Sequence, residues 1–205
     1  MTIREPDPGT PFVSVLLIPG HTDPTVDLAA AADTVDLSAA ETAPLRPRPV
    51  LVEGADCKRG HFNDPAARFC QQCGIAMHQL TLVTRRAPRP PLGVLLLDDG
   101  TTFRLDTDYV VGRAPEADGE VTAGRARALR IAGDGAGVSR RHLRVVLTGW
   151  QVRVLDLGSA NGTGVRLPGD PSTDWVGAGT PVRVVPGSRV DFGSRWLRYE
   201  SHRNL

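Results

Sequence analysis

The sequence from Leu92 onward consists of short runs of β-branched and aliphatic residues, each separated from the next by turn residues. None of these runs shows the 3.6-residue apolar period of an amphipathic helix, so the region is predicted to consist of strands. The run 94–97 leads through Asp98-Asp99-Gly100 into the run 101–105, and this pattern predicts a β-hairpin. This series of short strand-like runs favours an all-β domain. It constrains the fold more strongly than any other feature of the sequence.

A second hairpin is predicted where the run 144–147 leads through a Thr-Gly turn into the run 150–157. Trp150, Val152 and Val154 share one face of the later run while polar residues face the other way, which is the alternation of a half-buried strand. Further runs of the same kind follow at 182–185, 189–192 and 196–199. About 110 residues of such strands indicate a β-sandwich, which we assign to residues 92–205.

Residues 1–50 differ sharply in composition from the strand-rich region. They hold 8 of the 17 prolines, an Ala-rich middle, and seven acidic residues against three Arg, which gives a net charge of −4. Such a segment has too little apolar surface to offset the entropy of ordering the chain, so we expect a largely disordered acidic tail. The exception is residues 12–18, which have the composition of one strand and are expected either to dock on a sheet edge or to remain undocked.

The run 12–18 is also the longest apolar stretch, and it is far shorter than the ~20 residues of a membrane-spanning helix. It lacks the basic start and the cleavage site of a signal peptide, so a cytoplasmic protein is predicted. The net charge of +1 excludes an overall surplus for binding polyanions. Arg makes up 23 of the 24 basic residues, a skew typical of GC-rich coding that suggests a high-GC, actinobacterial type of source.

Residues 51–80 carry all three cysteines, and residues 81–91 read as an Arg- and Pro-rich linker. The pattern C-x3-H-x8-C-x2-C is formed by Cys57, His61, Cys70 and Cys73. It contains two pairs of possible metal ligands separated by a short loop. This spacing predicts one structural zinc ion, because metal binding supplies about 10 kcal/mol or more of folding free energy to a segment with few apolar residues.

The stretch resembles the zinc-ribbon pattern of bacterial regulatory proteins, with matches at Asn63, Pro65, Phe69, Cys70, Cys73 and Gly74. Gly60 stands where that pattern has its second cysteine, so the fourth ligand must be another group. His61 is the preferred choice, which gives the predicted set Cys57, His61, Cys70 and Cys73, with His78 or water as alternatives. Free thiols in a reducing cytosol are another interpretation of the cysteines. A thioredoxin-like use of Cys70 and Cys73 is less favoured, because no βαβ pattern surrounds them.

Three strings in the strand-rich region stand in a fixed order at predicted strand ends: Val111-Gly112-Arg113, 139–142 (Ser-Arg-Arg-His) and 157–163 (Leu-Gly-Ser-Ala-Asn-Gly-Thr). A phosphothreonine carries about −1.5 to −2 charges and three acceptor oxygens, so a protein that binds it needs guanidinium, hydroxyl and amide donors. Arg113, Ser139 and Arg140 are residues of that kind. No acidic partner or Gly-x-Ser-x-Gly turn accompanies Ser139, so a hydrolase is not favoured.

The order and spacing of the three strings resemble the forkhead-associated (FHA) domain, a non-catalytic β-sandwich that binds phosphothreonine peptides with loops at one end. The resemblance implies that Arg113, Ser139 and Arg140 contact the phosphate and that Asn161 holds the peptide backbone. It implies a supporting role for Gly112, His142, Gly162 and Thr163. One departure is Ala160, at a position where the family often has a phosphate-binding Ser or Thr.

The tail contains the tetrapeptide Thr-Val-Asp-Leu twice, beginning at Thr25 and Thr34. FHA domains commonly select the third residue after phosphothreonine, which is Leu in both copies. A Ser/Thr kinase that phosphorylated Thr25 or Thr34 would create a tethered ligand at millimolar effective concentration. The alternative is a linker whose repeats are coincidental.

These features predict a non-enzymatic signalling adaptor that binds phosphothreonine-containing partners, namely Ser/Thr protein kinases or their substrates. The alternative is a nucleic-acid-associated regulator that uses the zinc-ribbon-like segment, with the FHA-like domain as an interaction module. That alternative rests on Lys58, Arg59, Arg68, Arg85, Arg86 and Arg89. Six basic residues over about 40 positions with few aromatic partners is a weak signal for nucleic acid.

Overall fold

The computed structural model describes residues 49–77, 83–133 and 137–201. The tail with the predicted strand 12–18, the predicted phosphorylation sites Thr25 and Thr34, and the alternative ligand His78 lie outside these residues. The strands are β1 (Leu51–Asp56), β2 (Phe62–Asn63), β3 (Thr84–Pro88), β4 (Val94–Leu97), β5 (Thr102–Arg104), β6 (Asp108–Gly112), β7 (Ala126–Arg130), β8 (Leu143–Thr148), β9 (Gln151–Asp156), β10 (Thr163–Arg166), β11 (Asp174–Val176), β12 (Val182–Val184), β13 (Arg189–Phe192) and β14 (Arg195–Glu200). A 3-10 turn (Pro115–Ala117) and one short helix, α1 (Gly119–Thr122), interrupt them.

Eleven of these strands of the described chain form two sheets. One sheet has the order β11-β10-β13-β14-β4-β5 and the other has the order β12-β9-β8-β6-β7. Strands β6 and β7 pair in parallel, whereas the other pairs are antiparallel. Apolar residues of both sheets share one core, so the molecule is nearly all β and the predicted β-sandwich is confirmed. In the described residues no helix has the length and apolar character needed to cross a bilayer.

Strands β8 and β9 show why this sequence forms a sandwich. They form the predicted hairpin, with Thr148 opposite Gln151 at the turn and Val145 opposite Val154 further in. Alternate residues of both strands are buried, as the period of two along a strand requires. The inward-facing Val145 and Val154 join the core with Leu97 of the opposite sheet. The same strands end at the loops that carry two of the three sequence strings.

A third, smaller sheet has the order β2-β1-β3 and precedes the sandwich. Strand β3 lies inside the segment 81–91, for which the sequence analysis predicts a linker. It pairs along its whole length with β1, from Leu51 opposite Pro88 to Ala55 opposite Thr84. Ala87 is buried while its neighbours on β3 are exposed. Thr84 and Arg85 also attach this edge strand, through hydrogen bonds to Glu53 and Asp56 of β1.

The small sheet contacts the sandwich at the turn of the β8–β9 hairpin. The Nε1–H of Trp150 donates a hydrogen bond to the carbonyl oxygen of Glu53 at 2.7 Å. The rings of Trp150 and Phe62 lie with their centroids 5.4 Å apart. The Nη1 of Arg89 donates to the carbonyl oxygen of Gly149 at 3.0 Å. We call this set of contacts the junction.

Candidate functional site

The end of β6 and the segment 139–140 lie side by side at one end of the sandwich. The N–H of Arg113 donates to the carbonyl oxygen of Ser139 at 3.1 Å, and the N–H of Ala114 donates to that of Arg140 at 3.0 Å. A Cβ at Gly112 would stand 2.2 Å from the carbonyl oxygen of Arg140, so only glycine allows the two backbones to approach this closely. The first two sequence strings therefore meet.

A hollow of about 340 Å³ opens where these segments meet. Its lining residues are Arg113, Ser139, Arg140, Arg141, Leu157 and Gly158. We call it the phosphate hollow. Three arginines border it, and the carboxylate that pairs with one of them, Asp118, lies outside the lining at 3.1 Å from Arg141. The hollow is thus a positively charged cavity of the kind that an oxyanion fills.

Two donors at the phosphate hollow are held in place by the protein backbone. The Oγ of Ser139 accepts a hydrogen bond from the N–H of Ala160 at 3.1 Å, which leaves the hydroxyl proton to donate to a ligand. The Nε of Arg113 donates to the carbonyl oxygen of Val138, which orients the guanidinium while its terminal nitrogens remain available to a ligand. Ala160 has no hydroxyl to offer, but its N–H orients the hydroxyl of Ser139.

His142 connects the loop of Ser139 to the loop of Gly162. It is 0% exposed, its Nδ1 accepts from the N–H of Ser139 at 3.1 Å, and its Nε2 lies 3.0 Å from the carbonyl oxygen of Gly162. Because Nδ1 accepts, the proton of the neutral ring sits on Nε2 and is donated to Gly162. His142 touches both loops and does not line the phosphate hollow.

Asp156 is a site residue that the sequence analysis missed. It ends β9, is only 3% exposed, and its two oxygens accept from the N–H groups of Gly158 and Ser159 and from the hydroxyls of Ser159 and Thr163, at 2.6–2.9 Å. Burial raises the pKa of Asp156, but these hydrogen bonds lower it more, so the carboxylate is held below its ordinary value. Thr163 is buried against this carboxylate and shapes the loop 157–163 from within.

Asn161 lies apart from the phosphate hollow. Its Nδ2 donates to the carbonyl oxygen of Gly137 at 2.9 Å. It lines a second hollow of about 160 Å³ together with Gly137, Gly162, Trp175, Asp191 and Gly193. Trp175 is 71% exposed beside it. The two hollows are linked through Ala160, which precedes Asn161 and whose N–H bonds to Ser139. Arg113, Ser139 and Arg140 are therefore grouped, and Asn161 borders the neighbouring space.

The four residues predicted as metal ligands lie together in the small sheet and its loops. Their ligand atoms all fall within 4.8 Å of one another. The Sγ of Cys57 is 3.8 Å from the Sγ of Cys73 and 3.6 Å from the Nδ1 of His61, and the Sγ of Cys70 is also 3.6 Å from that nitrogen. In a tetrahedron with Zn–S and Zn–N bonds of ordinary length, these separations are about 3.8 and 3.5 Å. Three of the six separations thus agree with a metal ion of this geometry, and all six are within 4.8 Å.

Backbone groups also favour metal binding at this cluster. The N–H of Arg59 donates to the Sγ of Cys57 at 3.3 Å, and the N–H of Cys73 donates to the Sγ of Cys70 at 3.4 Å. Burial raises the pKa of Cys70, but the backbone N–H groups of Cys73 and Gln72 lower it more, to about 6. The N–H of Ile75 lowers the pKa of Cys73, but burial and the neighbouring thiols of Cys70 and Cys57 outweigh it, so this pKa is instead raised. Cys70 is therefore the more readily deprotonated of these two metal ligands.

Comparison with known proteins finds a similarity within the strand-rich region. Residues 109–193 match the family model of the FHA domain. The residues Gly112, Arg113, Ser139, Arg140, His142, Asn161, Gly162 and Thr163 all lie within the match. Compared with curated proteins, the chain has no significant match.

Solved structures are similar to about half of the chain. One, determined in a study of phosphothreonine-dependent FHA domain interactions, is 27% identical, with a TM-score of 0.37 over 53% of this chain and 95% of that one. The FhaA FHA domain, solved with the intracellular domain of Rv3910, is 26% identical, with a TM-score of 0.37 over 51% of this chain and 96% of that one. Mycobacterium tuberculosis EmbR, solved with a low-affinity phosphopeptide, is 21% identical, with a TM-score of 0.41 over 56% of this chain and 25% of its own length.

Proposed function

We propose that the FHA-type sandwich binds phosphothreonine-containing proteins and that the chain is a non-enzymatic adaptor in Ser/Thr-kinase signalling. The observation that carries this proposal is the phosphate hollow, where Arg113, Ser139 and Arg140 border one cavity of about 340 Å³. The match of residues 109–193 to the FHA domain supports it independently. A cytoplasmic location, where such kinases and their substrates meet, is part of the proposal.

Each side chain has a separate role in the proposed complex. Arg113 supplies a guanidinium that is oriented by its bond to Val138 and forms charge-assisted hydrogen bonds with two phosphate oxygens. Ser139 donates its hydroxyl proton to a third oxygen. Arg140 adds positive charge at the rim. Asn161 uses its amide to hold the peptide backbone next to the second hollow.

A phosphothreonine peptide library tests the proposal. The full chain is expected to enrich phosphothreonine peptides over the same sequences without phosphate. Arg113→Ala and Ser139→Ala are each expected to weaken binding of a selected peptide by about tenfold or more, because each removes a hydrogen bond to a charged group. Arg183→Ala, an exposed change on β12, is the matched control and should bind as the unmodified chain does.

Equal recovery of phosphorylated and unphosphorylated peptides would contradict the proposal. So would an Arg113→Ala chain that remains folded and binds with unchanged affinity. Circular dichroism of each variant establishes whether it is folded, so that a loss of binding can be assigned to the missing contact.

We further propose that the cluster of Cys57, His61, Cys70 and Cys73 holds one structural zinc ion in a zinc-ribbon-like module. The support is that the four ligand atoms lie within 4.8 Å of one another and that three of their separations agree with those of a tetrahedral zinc site. Metal analysis of the purified chain should give one zinc per chain and no reactive thiol. Substoichiometric zinc together with three titratable thiols would overturn this assignment.

Regulation by the tail is part of the same proposal. Phosphorylation of Thr25 or Thr34 would create a ligand for the phosphate hollow on the same chain, and the tethered segment would compete with free partners. A chain phosphorylated at either position is expected to bind a reference phosphopeptide more weakly than the unmodified chain. Unchanged affinity would exclude this self-inhibition and leave the adaptor function intact.

A further inference from the structure

A third cavity, of about 840 Å³, lies at the opposite end of the sandwich strands from the phosphate hollow. Strand β6 begins at Asp108, which lines this cavity, and ends at Gly112, next to the phosphate hollow. Strand β8 runs the opposite way: Leu147 lines this cavity. Leu143, at the start of β8, pairs with Val111 at the end of the sandwich that carries the phosphate hollow. A strand of this length separates the two spaces by roughly 15 Å, so both can be occupied at once.

Both modules contribute walls to this cavity. Pro49, Val50 and Arg89 come from the segments that flank the small sheet, and the remaining walls come from the sandwich. The lining residues are Pro49, Val50, Arg89, Asp106, Thr107, Asp108, Gly124, Arg125, Arg127, Arg144 and Leu147. Cavities between modules are common places for ligands, because they combine apolar walls with a few convergent polar groups. We call this space the junction cavity.

The charges at the junction cavity do not cancel. Four arginines line it, and three of them form ion pairs with carboxylates. The pairs are Arg127 with Asp106 at 3.0 Å, Arg144 with Asp108 at 2.8 Å and with Glu120 at 3.0 Å, and Arg125 with Glu120 at 2.7 Å. Arg89 forms no ion pair among the described residues. One positive charge is therefore left over, and Arg89 carries it.

Arg89 is half-buried and forms no ion pair among the described residues, although the attraction of Asp108 and Asp106 offsets part of its charge. Its Nη1 donates to the carbonyl oxygen of Gly149, while its Nε is buried and has no hydrogen-bond partner in the described structure. The Nε of Arg144 is also buried and has no hydrogen-bond partner in the described structure. Burial lowers the pKa of Arg89 although Asp108 and Asp106 act to raise it, so the charge of the guanidinium is incompletely compensated. A negatively charged ligand in the cavity would compensate it.

The class of ligand follows from the sign and size of the surplus charge at the junction cavity. A single positive charge beside Asp106 and Asp108 suits a monoanion, because a phosphate dianion would meet two carboxylates as well as the arginine. Val50 is 54% exposed and, with Pro49 and Leu147, forms an apolar wall. The volume exceeds what one carboxylate fills and is typical of a site for a larger organic ligand.

We infer that the junction cavity is a second binding site, which takes an acidic peptide segment of a partner protein. The carboxylate of an Asp or Glu side chain lies against the guanidinium of Arg89. A neighbouring aliphatic side chain packs on Val50 and Leu147. A partner that carried both this segment and a phosphothreonine would bind more tightly than either part alone, by avidity. The site itself does not depend on the phosphothreonine proposal.

The test uses the full chain labelled with nitrogen-15 and two matched probes, acetyl-Glu-Val-Leu-amide and acetyl-Gln-Val-Leu-amide. The acidic probe is expected to shift the amide signals of Arg89, Gly124 and Arg127 and to bind about tenfold more tightly than the amide probe, which lacks the charge. Arg89→Gln should abolish this difference, and Arg89→Lys should retain part of it. Arg183→Gln is the control on the exposed face of β12 and should bind both probes as the unmodified chain does.

Three outcomes would overturn the inference. The first is that neither probe shifts these amides at millimolar concentration. The second is that the two probes bind equally well to the unmodified chain. The third is that acetate or inorganic phosphate alone binds as tightly as the acidic probe, which would make this a site for small anions. A phosphothreonine peptide added afterwards should shift the signals of Ser139 and Arg140 instead, so failure of one site is distinguishable from failure of the other.

Discussion

The module around β1–β3 and the sandwich differ in how their buried residues stabilise them. The buried apolar cluster of the module consists of Ala55, Cys57, Cys70 and Met77, and two of these four are in the ligand set. The core of the sandwich is made of Leu, Val, Ile, Phe and Tyr side chains from both sheets. The sandwich can thus be stabilised by apolar burial alone, whereas the module buries so few apolar side chains that its fold is proposed to depend on a metal ion.

Removal of the metal should have the largest effect on this contrast. A chelator is expected to unfold the module, because a structural zinc contributes about 10 kcal/mol or more to the free energy of folding of such a segment. Amide hydrogen exchange should then show loss of protection at β1 and β2, while β8 and β9 remain protected. Cys70→Ser should produce the same pattern without chelator, whereas Lys58→Ala, on the loop between two ligands, should not. Protection of β1 that persists without metal would show that apolar packing alone holds the module.

Removal of a buried side chain from the sandwich core should destabilise the sandwich and leave the module folded. Leu129 on β7 is fully buried, and Leu129→Ala is expected to lower the free energy of unfolding of the sandwich by about 2–5 kcal/mol. The zinc content should remain at one per chain. Val83→Ala, at a side chain that is 80% exposed, is the control and should change the free energy by less than about 0.5 kcal/mol. Loss of zinc from the Leu129→Ala chain at a temperature where it remains folded would show that the two regions are not energetically separate.

The sequence predicts the sandwich better than it predicts the contacts between the regions. The hairpin that became β8 and β9 follows from alternation and a Thr-Gly turn, both of which are local signals. Strand β7 was missed because its Ala and Arg residues have low strand propensity, and it forms by pairing in parallel with β6. Strand β3 was interpreted as linker because Pro and Arg dominate its surroundings, although β1 supplies all of its backbone partners.

The candidate site shows the same division between local and distant information. The residues at the phosphate hollow could be named from their types and order, and the structure groups three of them. Asp156 could not be named in this way, because an aspartate at a strand end is an ordinary turn residue. Only the folded loop shows the four groups that donate hydrogen bonds to its carboxylate. Trp150 contacts Glu53, a residue 97 positions away, and no local pattern encodes that pairing.

Replacement of Asp156 tests whether the loop 157–163 of the sandwich needs this buried carboxylate. Asp156→Asn keeps the shape but leaves one acceptor oxygen for four donors, so the free energy of unfolding should fall by about 2 kcal/mol. Affinity for a phosphothreonine peptide should fall as well, because the loop 157–163 loses its support. Asp174→Asn, at an exposed position of β11, is the matched control. Unchanged stability and affinity would show that the carboxylate is dispensable.

Acid should reproduce part of this effect in the unmodified chain. The folded state holds the pKa of Asp156 below its ordinary value of 3.8, so its contribution to stability is present at neutral pH. That contribution should be lost as the pH falls below this ordinary value and through the lower pKa of the folded state. The Asp156→Asn chain should lack this component of the acid dependence, which urea denaturation at a series of pH values would measure. Parallel pH profiles for the two chains would contradict the assignment.

The smallest expected effect concerns the junction, where the two regions meet. Trp150→Phe keeps a ring to pack on Phe62 but removes the N–H that donates to Glu53, and one neutral hydrogen bond is worth about 1 kcal/mol. Urea denaturation followed by hydrogen exchange should show the module unfolding at a lower urea concentration, with the sandwich almost unchanged. Trp175→Phe, at an exposed tryptophan far along the chain, should leave both transitions where they are. If Trp150→Phe instead lowers both transitions together, the module and the sandwich unfold as one cooperative unit. The contrast between a metal-dependent and an apolar core would then describe how each region is built but not how each one unfolds.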